Sequence, residues 1–282
     1  MADTAIKNEE EKKEYFDTPE VLKAKVQKLA GYVLSAEHFC TFTGAGISTA
    51  AGIPDFRSGA NTCLPTGAGA WEQAAAIQAA RKAGTLKHEP AAKRGVKVGV
   101  AKAYPTKCHM ALVALMEAGL LKHVISQNCD GLHRRSGIPA EKLSEVHGNT
   151  NLEVCIKCKK EYMRDFRVRN AQRVHEHKTG RKCDDPSCRG DLKDTIINFN
   201  ENLDPEILER GELNGQSADL MLAMGSSLRV YPAAGMAQAT AEQGGKLVIV
   251  NLQKTPLDPY ADMVIHGKID DVMDMLMAEL CI

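Results

Sequence analysis

The stretch TGAGISTAAGIPDFR, residues 43–57, follows the short apolar run HFCTFT and holds three glycines beside an acid, a phenyl ring and an arginine. An apolar strand followed by Gly44, Ala45 and Gly46 and then a helix presents backbone N–H groups at a helix N-terminus, which favours phosphate. The third glycine, Gly52, comes six positions after Gly46, so the dehydrogenase fingerprint G-x-G-x-x-G does not fit. A purely structural glycine turn therefore stays open beside a phosphate-binding loop.

The residues at the end of this stretch bear on the choice between a structural turn and a ligand-binding loop. Pro54 stiffens the loop, and Asp55, Phe56 and Arg57 follow it directly. One interpretation is a surface loop with an Asp–Arg pair, which contributes little to stability. The other is a cofactor pocket, in which Arg57 meets a phosphate, Phe56 covers an aromatic or sugar face, and Asp55 binds a polar amide.

Three further apolar runs, KHVIS, DLMLAM and KLVIV, resemble HFCTFT and alternate with helix-like segments. Those segments are TPEVLKAKVQKLAGYVLSAEH, KCHMALVALMEAGLL and DDVMDMLMAEL. Strands that alternate with helices predict an α/β fold with a mostly parallel sheet covered on both faces. Ligands of such sheets bind at the carboxyl ends of the strands, which here lead into residues 44–57, 127–131, 225–232 and 251–253.

Composition narrows the class of protein. The chain has 282 residues, 44% hydrophobic and 26% charged, with zero formal net charge, so overall charge favours neither a nucleic-acid nor a membrane partner. No apolar run reaches the roughly 18 residues of a membrane span. Residues 1–17 are charged throughout, which predicts a flexible tail and no secretory signal. Nine cysteines without such a signal indicate a reducing compartment and a protein that is not secreted.

Four of the cysteines form two close pairs, CIKC and CDDPSC. Four thiolates so spaced are typical of a structural zinc site, and the ligands predicted are Cys155, Cys158, Cys183 and Cys188. Their charged surroundings disfavour the alternative of four packed cysteines. Residues 155–193 carry 12 Lys or Arg against 6 Asp or Glu, so this part is locally basic.

Polar side chains interrupt the apolar pattern in ISQNCDGLHRRSG, residues 125–137. Gln127, Asn128 and Asp130 stand at the predicted end of a strand, where amides and a carboxylate can hold sugar hydroxyls and a carboxamide. His147 follows in EVHGN, and its context makes it a candidate general base.

Taken together, these stretches closely resemble the sirtuins, a family of NAD-dependent protein deacylases. The resemblance lies in GAGISTAAGIPDFR, SQNCDGLHRRSG, EVHGN, the two cysteine pairs, GSSLRVYPA and VIVNLQ, in the family's order over roughly residues 20–280. Further likeness, in HMALVALMEAGLL, NLQKTPLD and ADMVIHGKIDDVM, is to the nuclear, sirtuin-six-like (class IV) branch.

The resemblance implies a Rossmann-like, doubly wound parallel sheet with a small inserted zinc-binding module. Residues 1–17 would be the flexible tail, residues 18–150 and 194–282 the NAD-binding domain, and residues 151–193 the zinc-binding module. Zn²⁺ and NAD are thus the expected cofactors.

It also implies a site. Asn128 and His147 would be catalytic, with His147 as the general base. Arg57, the glycines and the GSS turn would lie at the phosphates, Asp55 and Asp130 near the nicotinamide, and Phe56 over the reactive sugar carbon. The residues expected to contact NAD are Gly44, Ala45, Gly46, Thr49, Asp55, Phe56, Arg57, Trp71, Gln127, Asn128, Asp130, His147, Gly225, Ser226, Ser227, Asn251, Leu252, Gln253 and Ile269.

The implied reaction is removal of an acyl group from protein lysine with release of nicotinamide and O-acyl-ADP-ribose. Histones or other nuclear proteins are the expected substrates, with weak DNA or chromatin contact through the basic module and no membrane partner. The nucleus is the expected location, with the cytoplasm as the alternative. Protein mono-ADP-ribosylation and a non-catalytic NAD- or ADP-ribose-binding chromatin adaptor stay open.

The chain departs from the family in two places. The substrate-pairing strand often contains Phe-Gly-Glu, whereas this chain reads INFNENL and has Asn200 at the glycine position. Within residues 58–104, the stretch between Arg57 and the only tryptophan, Trp71, is longer than the branch usually shows. The first departure puts peptide docking in question, and the second leaves Trp71 as either a packing anchor or a lid over the cofactor.

Overall fold

Ten strands and seven helices are present in the residues that the computed structural model describes, which are 9–83, 102–171 and 173–282. The strands in chain order are β1 (Phe39–Thr43), β2 (Leu121–Ser126), β3 (Leu143–Glu145), β4 (Leu152–Cys155), β5 (Glu161–Met163), β6 (Lys178–Lys182), β7 (Asp191–Asp194), β8 (Leu220–Met224), β9 (Lys246–Val250) and β10 (Met263–Ile265). The helices are α1 (Pro19–Ser35), α2 (Ala70–Lys82), α3 (Lys107–Glu117), α4 (Leu132–Ser136), α5 (Pro205–Ser217), α6 (Ala233–Glu242) and α7 (Ile269–Leu280).

Six strands form a parallel sheet in the order β10-β9-β8-β1-β2-β3. Every residue of the central strand β1 is buried, as its continuous apolar run requires when helices cover both faces. The strand order reverses between β1 and β8, and ligands bind at such a switch point. The predicted α/β fold with a doubly wound parallel sheet is confirmed.

The two faces of the sheet bury separate apolar clusters. Helices α1, α3 and α7 pack together on one face, and α5 packs against α6 on the other. Thr18 caps α1 by accepting a hydrogen bond from the Val21 N–H, Pro19 occupies the first turn, and the buried positions repeat at helical spacing. No helix in these described ranges is long and apolar enough to cross a membrane.

A smaller antiparallel sheet, in the order β5-β4-β7-β6, spans residues 152–194 and carries the two cysteine pairs. The segment that forms this small sheet is inserted in the chain between β3 and α5. The sequence predicted the cysteine-rich insertion, but its strands are too short and too charged for a clear period-two pattern.

Part of the predicted flexible tail has defined contacts with the domain. The Tyr15 N–H donates to the Leu252 carbonyl at 2.9 Å, and the Asp17 N–H donates to the His266 carbonyl at 2.8 Å. Lys12 pairs with Glu72 of α2 at 3.0 Å. The segment from residue 10 therefore lies against the sheet edge and α2, while residues 1–8 fall outside the described residues.

The segment between Arg57 and residue 104 is described as far as residue 83. The predicted helix in WEQAAAIQAARKAG is present as α2, after a glycine-rich stretch that has no regular structure except turns. Residues 84–101 fall outside the described residues.

Candidate functional site

A cavity of about 960 Å³ opens at the carboxyl ends of β1, β2, β8 and β9. This volume lies at the upper end of the range for small-molecule sites, about 300–1,000 Å³, and suits a dinucleotide. Seventeen of the residues predicted to bind the cofactor line it: Ala45, Gly46, Thr49, Asp55, Phe56, Arg57, Trp71, Gln127, Asn128, His147, Gly225, Ser226, Ser227, Asn251, Leu252, Gln253 and Ile269.

The glycines bring two loops into contact at the switch point of the sheet. The Gly46 N–H donates to the Gly225 carbonyl at 2.8 Å, and a Cβ on Gly46 would lie 2.6 Å from the Gly225 Cα. A Cβ on Gly44 would lie 2.7 Å from the Gly225 carbonyl oxygen. The helix that follows is only a short 3₁₀ turn over residues 45–51. Backbone contact between the loops is thus one reason for the glycines, and close approach to a ligand is a second.

The His147 ring is held through its Nδ1 atom. Its Nδ1 lies 3.1 Å from the Gln127 carbonyl oxygen, which only accepts hydrogen bonds, so Nδ1 carries the proton and Nε2 keeps its lone pair. Burial lowers the pKa of His147, and the bond to the Gln127 carbonyl partly offsets this by raising it. The imidazole is therefore neutral near pH 7, as a general base requires.

The amide of Asn128 is fixed by the glycine loop. Its Nδ2 donates to the Gly44 carbonyl at 3.0 Å and lies 3.4 Å from the Ser48 hydroxyl. The neighbouring amide is different: Gln127 accepts a hydrogen bond from the Ser226 hydroxyl at 2.9 Å, but its buried Nε2 has no partner among the described residues. An unpaired buried donor in a cavity wall is costly, and a ligand with sugar hydroxyls or a carboxamide fits it.

Two predicted residues lie behind the cavity wall. Gly44 and Asp130 are not among the described residues that line the cavity. Asp130 accepts a hydrogen bond from the Ser48 hydroxyl at 2.7 Å and from the Leu132 N–H at 2.9 Å. It therefore supports Ser48 and holds the first residue of α4. The sequence analysis missed Ser48, because a serine among small loop residues gives no signal.

An aromatic group forms one wall. The Arg57 guanidinium lies 4.3 Å above the Trp71 ring, and the Phe56 and Phe199 rings lie 5.4 and 6.1 Å from it. Burial and the nearby Arg229 lower the pKa of Arg57 to about 10, so the guanidinium stays charged at neutral pH. Trp71 thus reaches the cavity and stacks on the cation predicted to meet a phosphate.

Asp55 is engaged inside its own loop. Its carboxylate accepts hydrogen bonds from the hydroxyl and the N–H of Ser58. Burial raises its pKa, while these two bonds lower it. Because Asp55 still lines the cavity, its predicted role toward an amide stays a prediction, beside its evident role in shaping the loop.

The loop over residues 197–203 also lines the cavity, and the site predictions did not include it. Its Asn200 has φ +69°, the left-handed conformation that glycine adopts readily and that asparagine tolerates better than other residues. The departure from Phe-Gly-Glu therefore keeps the backbone geometry that a glycine would supply.

The turn that carries His147 packs on Thr195, just before the loop over residues 197–203. Gly148 has φ +80°, and a Cβ there would lie 1.8 Å from the Thr195 carbonyl oxygen. Just before the turn, buried Glu145 accepts hydrogen bonds from Asn149 at 2.8 Å and Arg134 at 3.2 Å. Burial raises the pKa of Glu145 to about 7, although these partners oppose the rise. No sequence pattern had indicated a role for Glu145.

The four predicted metal ligands meet in the small sheet. All four sulfur atoms lie within 4.8 Å of one another, with 3.6 Å between Cys155 and Cys188 and 3.7 Å between Cys158 and Cys183. Zn–S bonds of about 2.3 Å in a tetrahedron place sulfurs about 3.8 Å apart. The cluster therefore fits a zinc ion whose four positions are all filled by thiolates, which is a structural and not a catalytic arrangement.

Comparison with known proteins agrees with this geometry. The model of the Sir2 family matches residues 44–232. NAD-dependent protein deacetylase SRT1 of Oryza sativa subsp. indica is 43% identical over 264 residues, 94% of this chain and 50% of that protein. NAD-dependent protein deacetylase sirtuin-7 of Homo sapiens is 42% identical over 95% of this chain and 62% of its own length.

A bacterial relative from Rhodopseudomonas palustris, an NAD-dependent protein deacetylase, is 34% identical over 89% of this chain and 96% of its own length. The solved structure of Sir2Tm bound to a propionylated peptide has a TM-score of 0.62 and 33% identity, over 90% of this chain and 98% of the other.

The chain thus spans about half the length of the plant relative and nearly all of the bacterial one. Relatives named sirtuin-7 and, in Drosophila melanogaster, Sirt6 agree with the predicted branch. The family model covers more than half of the chain, and its range includes the four clustered cysteines and many of the residues that line the cavity. The chain belongs to the Sir2 family.

Proposed function

We propose that this protein is an NAD-dependent protein-lysine deacylase that acts on histones or other nuclear proteins. The observation that carries the proposal is the hydrogen bond from His147 Nδ1 to the Gln127 carbonyl, which leaves Nε2 as a base in a cavity of dinucleotide size that Asn128 also lines. A sensing module would need the cavity but not this base. The names of the relatives support NAD as the cofactor and acylated lysine as the substrate.

Different residues along the cavity would bind different parts of NAD. Arg57 and the Gly225 turn would hold the diphosphate, Asn251 and Gln253 the adenosine end, and the free amide of Gln127 the nicotinamide ribose. Bound NAD supplies a nicotinamide leaving group and the ribose carbon that accepts the acyl oxygen. His147 Nε2 would take a proton from a ribose hydroxyl, and the bond from Nδ1 to Gln127 would stabilise the resulting imidazolium.

The reaction products distinguish the deacylase from the two alternative functions. We expect mass spectrometry of reactions with NAD and a panel of acylated histone peptides to find O-acyl-ADP-ribose, free nicotinamide and deacylated peptide. ADP-ribosylated protein without O-acyl-ADP-ribose would instead support a mono-ADP-ribosyltransferase. NAD binding with no turnover on any peptide would support a non-catalytic adaptor.

Trp71 gives a test of cofactor binding that does not need turnover. We expect its fluorescence to change when NAD or ADP-ribose is added, because Arg57 stacks on its ring at the proposed phosphate site. Trp71→Ala should weaken cofactor binding by about 1–2 kcal/mol, the scale of a lost stacking contact. Unchanged affinity in the variant would leave Trp71 as a packing anchor only.

The pH profile tests the base. Because burial lowers the pKa of His147 below its ordinary value of 6.5, kcat/KM should fall toward acid pH with a midpoint below pH 6.5. Measurement from about pH 5 to 8 covers this limb. Glu145→Gln is the control, because burial raises the pKa of Glu145 to about 7, which lies within the measured range. An unchanged midpoint in this variant excludes titration of Glu145 as the cause of the acid limb. A midpoint above 6.5 in both proteins would contradict the assignment.

Weak DNA or chromatin contact through the zinc-binding module is the finer part of the proposal. Several basic residues of the module pair with acids, such as Lys178 and Lys182 with Asp191, but Lys157, Lys159 and Lys160 form an exposed run. Binding to DNA should fall steeply with salt and should be reduced by reversing these three charges, with reversal at Lys178 as the control. Absence of DNA binding at low salt would contradict the proposed contact of the zinc-binding module with DNA or chromatin.

A further inference from the structure

A histidine joins the small sheet to the cavity wall. The Nδ1 of His177 lies 3.1 Å from Asp194 Oδ1, and its Nε2 lies 3.2 Å from Glu201 Oε1. The Arg169 guanidinium, which only donates hydrogen bonds, also lies 3.2 Å from the His177 Nδ1, so the ring meets Glu201 at one nitrogen and both Arg169 and Asp194 at the other. We call His177, Asp194 and Glu201 the histidine clasp.

The Asp194 end of the clasp fixes where the cavity loop starts. Asp194 is the last residue of β7, and its side chain is 1% exposed. It accepts hydrogen bonds from the Ile196 N–H at 3.0 Å and from the Arg169 guanidinium at 2.9 Å. The chain therefore leaves the small sheet in a set direction toward the loop at residues 197–203.

The Glu201 end closes the loop itself. The Glu201 carboxylate, 7% exposed, accepts hydrogen bonds from the N–H of Asn198 at 2.6 Å, from its amide at 2.9 Å, and from the His175 N–H at 2.8 Å. Burial raises the pKa of Glu201, but these donors and the charge of His177 outweigh it and lower the pKa to about 2. This turn holds Asn200 in its left-handed conformation.

Basic side chains surround the two carboxylates of the clasp. Arg169 and His177 face Asp194 and Glu201, and the exposed His175 ring lies 3.4 Å from Glu201. Loss of the His177 ring would remove one hydrogen-bond partner of Glu201 and open the bridge to Asp194, and a buried carboxylate that loses a partner is destabilised. The loop would then lose its link to the small sheet.

We propose that His177 is a positioning residue for the acyl-lysine substrate: by bridging Asp194 and Glu201 it holds the loop over residues 197–203 in the conformation that receives the substrate chain. The inference rests on the proposed function, because the loop lines the same cavity as His147. It adds a role for a residue of the cysteine-rich module that contacts neither the metal ligands nor the base.

The test uses His177→Gln in the full chain. We expect faster hydrogen exchange of the backbone amides in residues 197–203, and a change in Trp71 fluorescence because the Phe199 ring lies 6.1 Å from Trp71. In deacylation assays KM for the acylated peptide should rise about tenfold while kcat stays within about twofold, the effect of one lost charge-assisted hydrogen bond. Glu176→Gln, at an exposed neighbour, is the matched control and should leave the exchange, the fluorescence and KM unchanged.

Glu201→Gln removes the contact with His177 from the loop side. It is the alternative variant if His177→Gln disturbs the small sheet. Adding His177→Gln to it should produce little further exchange in the loop, because both changes remove the same interaction. Unchanged exchange in either single variant, additive effects in the double variant, or a fall in kcat with KM unchanged would overturn the proposal. The exchange and fluorescence measurements need no turnover, so failure of the proposed deacylase activity leaves them decisive.

Discussion

Replacing His147 by alanine is expected to lower the deacylation rate by about 10²–10⁴-fold, the usual contribution of a general base. The protein should still fold, because His147 makes a single side-chain hydrogen bond, to the Gln127 carbonyl, among the described residues. Cofactor affinity, measured by Trp71 fluorescence, should change little. A variant that deacylates at nearly the wild-type rate would show that His147 is not the base.

Asn128→Ala is the companion variant, and it should fail at an earlier step. Its amide is anchored to the Gly44 carbonyl beside the proposed nicotinamide pocket. We expect loss of nicotinamide exchange in Asn128→Ala, whereas His147→Ala keeps some exchange, since proton removal from the ribose follows nicotinamide release. Equal loss of exchange in both variants would contradict this order of steps.

Cys183→Ser is expected to remove most of the soluble protein. Three thiolates would remain, and structural zinc contributes on the order of 10 kcal/mol to the folding of small modules. The Cys183 sulfur also lies 3.0 Å from the Tyr162 hydroxyl, in the only apolar cluster of the small sheet within the described residues. Loss of the ligand therefore weakens the module's core as well as its metal site.

Cys281→Ser is the matched control, because Cys281 is exposed and lies outside the quartet. It should leave yield and zinc content unchanged. Metal analysis of well-folded wild-type protein should give one equivalent of zinc, and less than roughly half an equivalent would contradict a four-thiolate site. Selective loss of activity in soluble, zinc-replete Cys183→Ser would contradict it equally.

The large parallel sheet was predictable because its local patterns are strong. The buried runs behind β1, β2, β8 and β9 are continuous, and α1 has a cap, a proline and a helical repeat that all agree. Strands β3 and β10 were not predicted, since three residues give no period. They form because neighbouring strands provide an edge on which to pair.

The site was predictable to the extent that it follows strand ends. Gln127, Asn128 and His147 stood out by their positions, whereas their assigned roles come from family resemblance. Ser48, which supports the cavity wall, and the loop over residues 197–203, which lines the cavity, were missed, because their contacts join distant parts of the chain. Asp130 lies in the predicted loop, but its carboxylate contacts Ser48 and Leu132 behind the residues that line the cavity, so its contact with NAD stays a prediction.

The contact between Gly46 and Gly225 has a consequence for folding. It joins loops that follow β1 and β8, which are far apart in the chain, so the cavity exists only after these strands have paired. Contacts of such long separation form late and slowly. A ligand of the cavity then binds the native state and no partly folded one, and its binding energy adds to the global stability of the domain. Cofactor supply would set how long each molecule survives in its folded form.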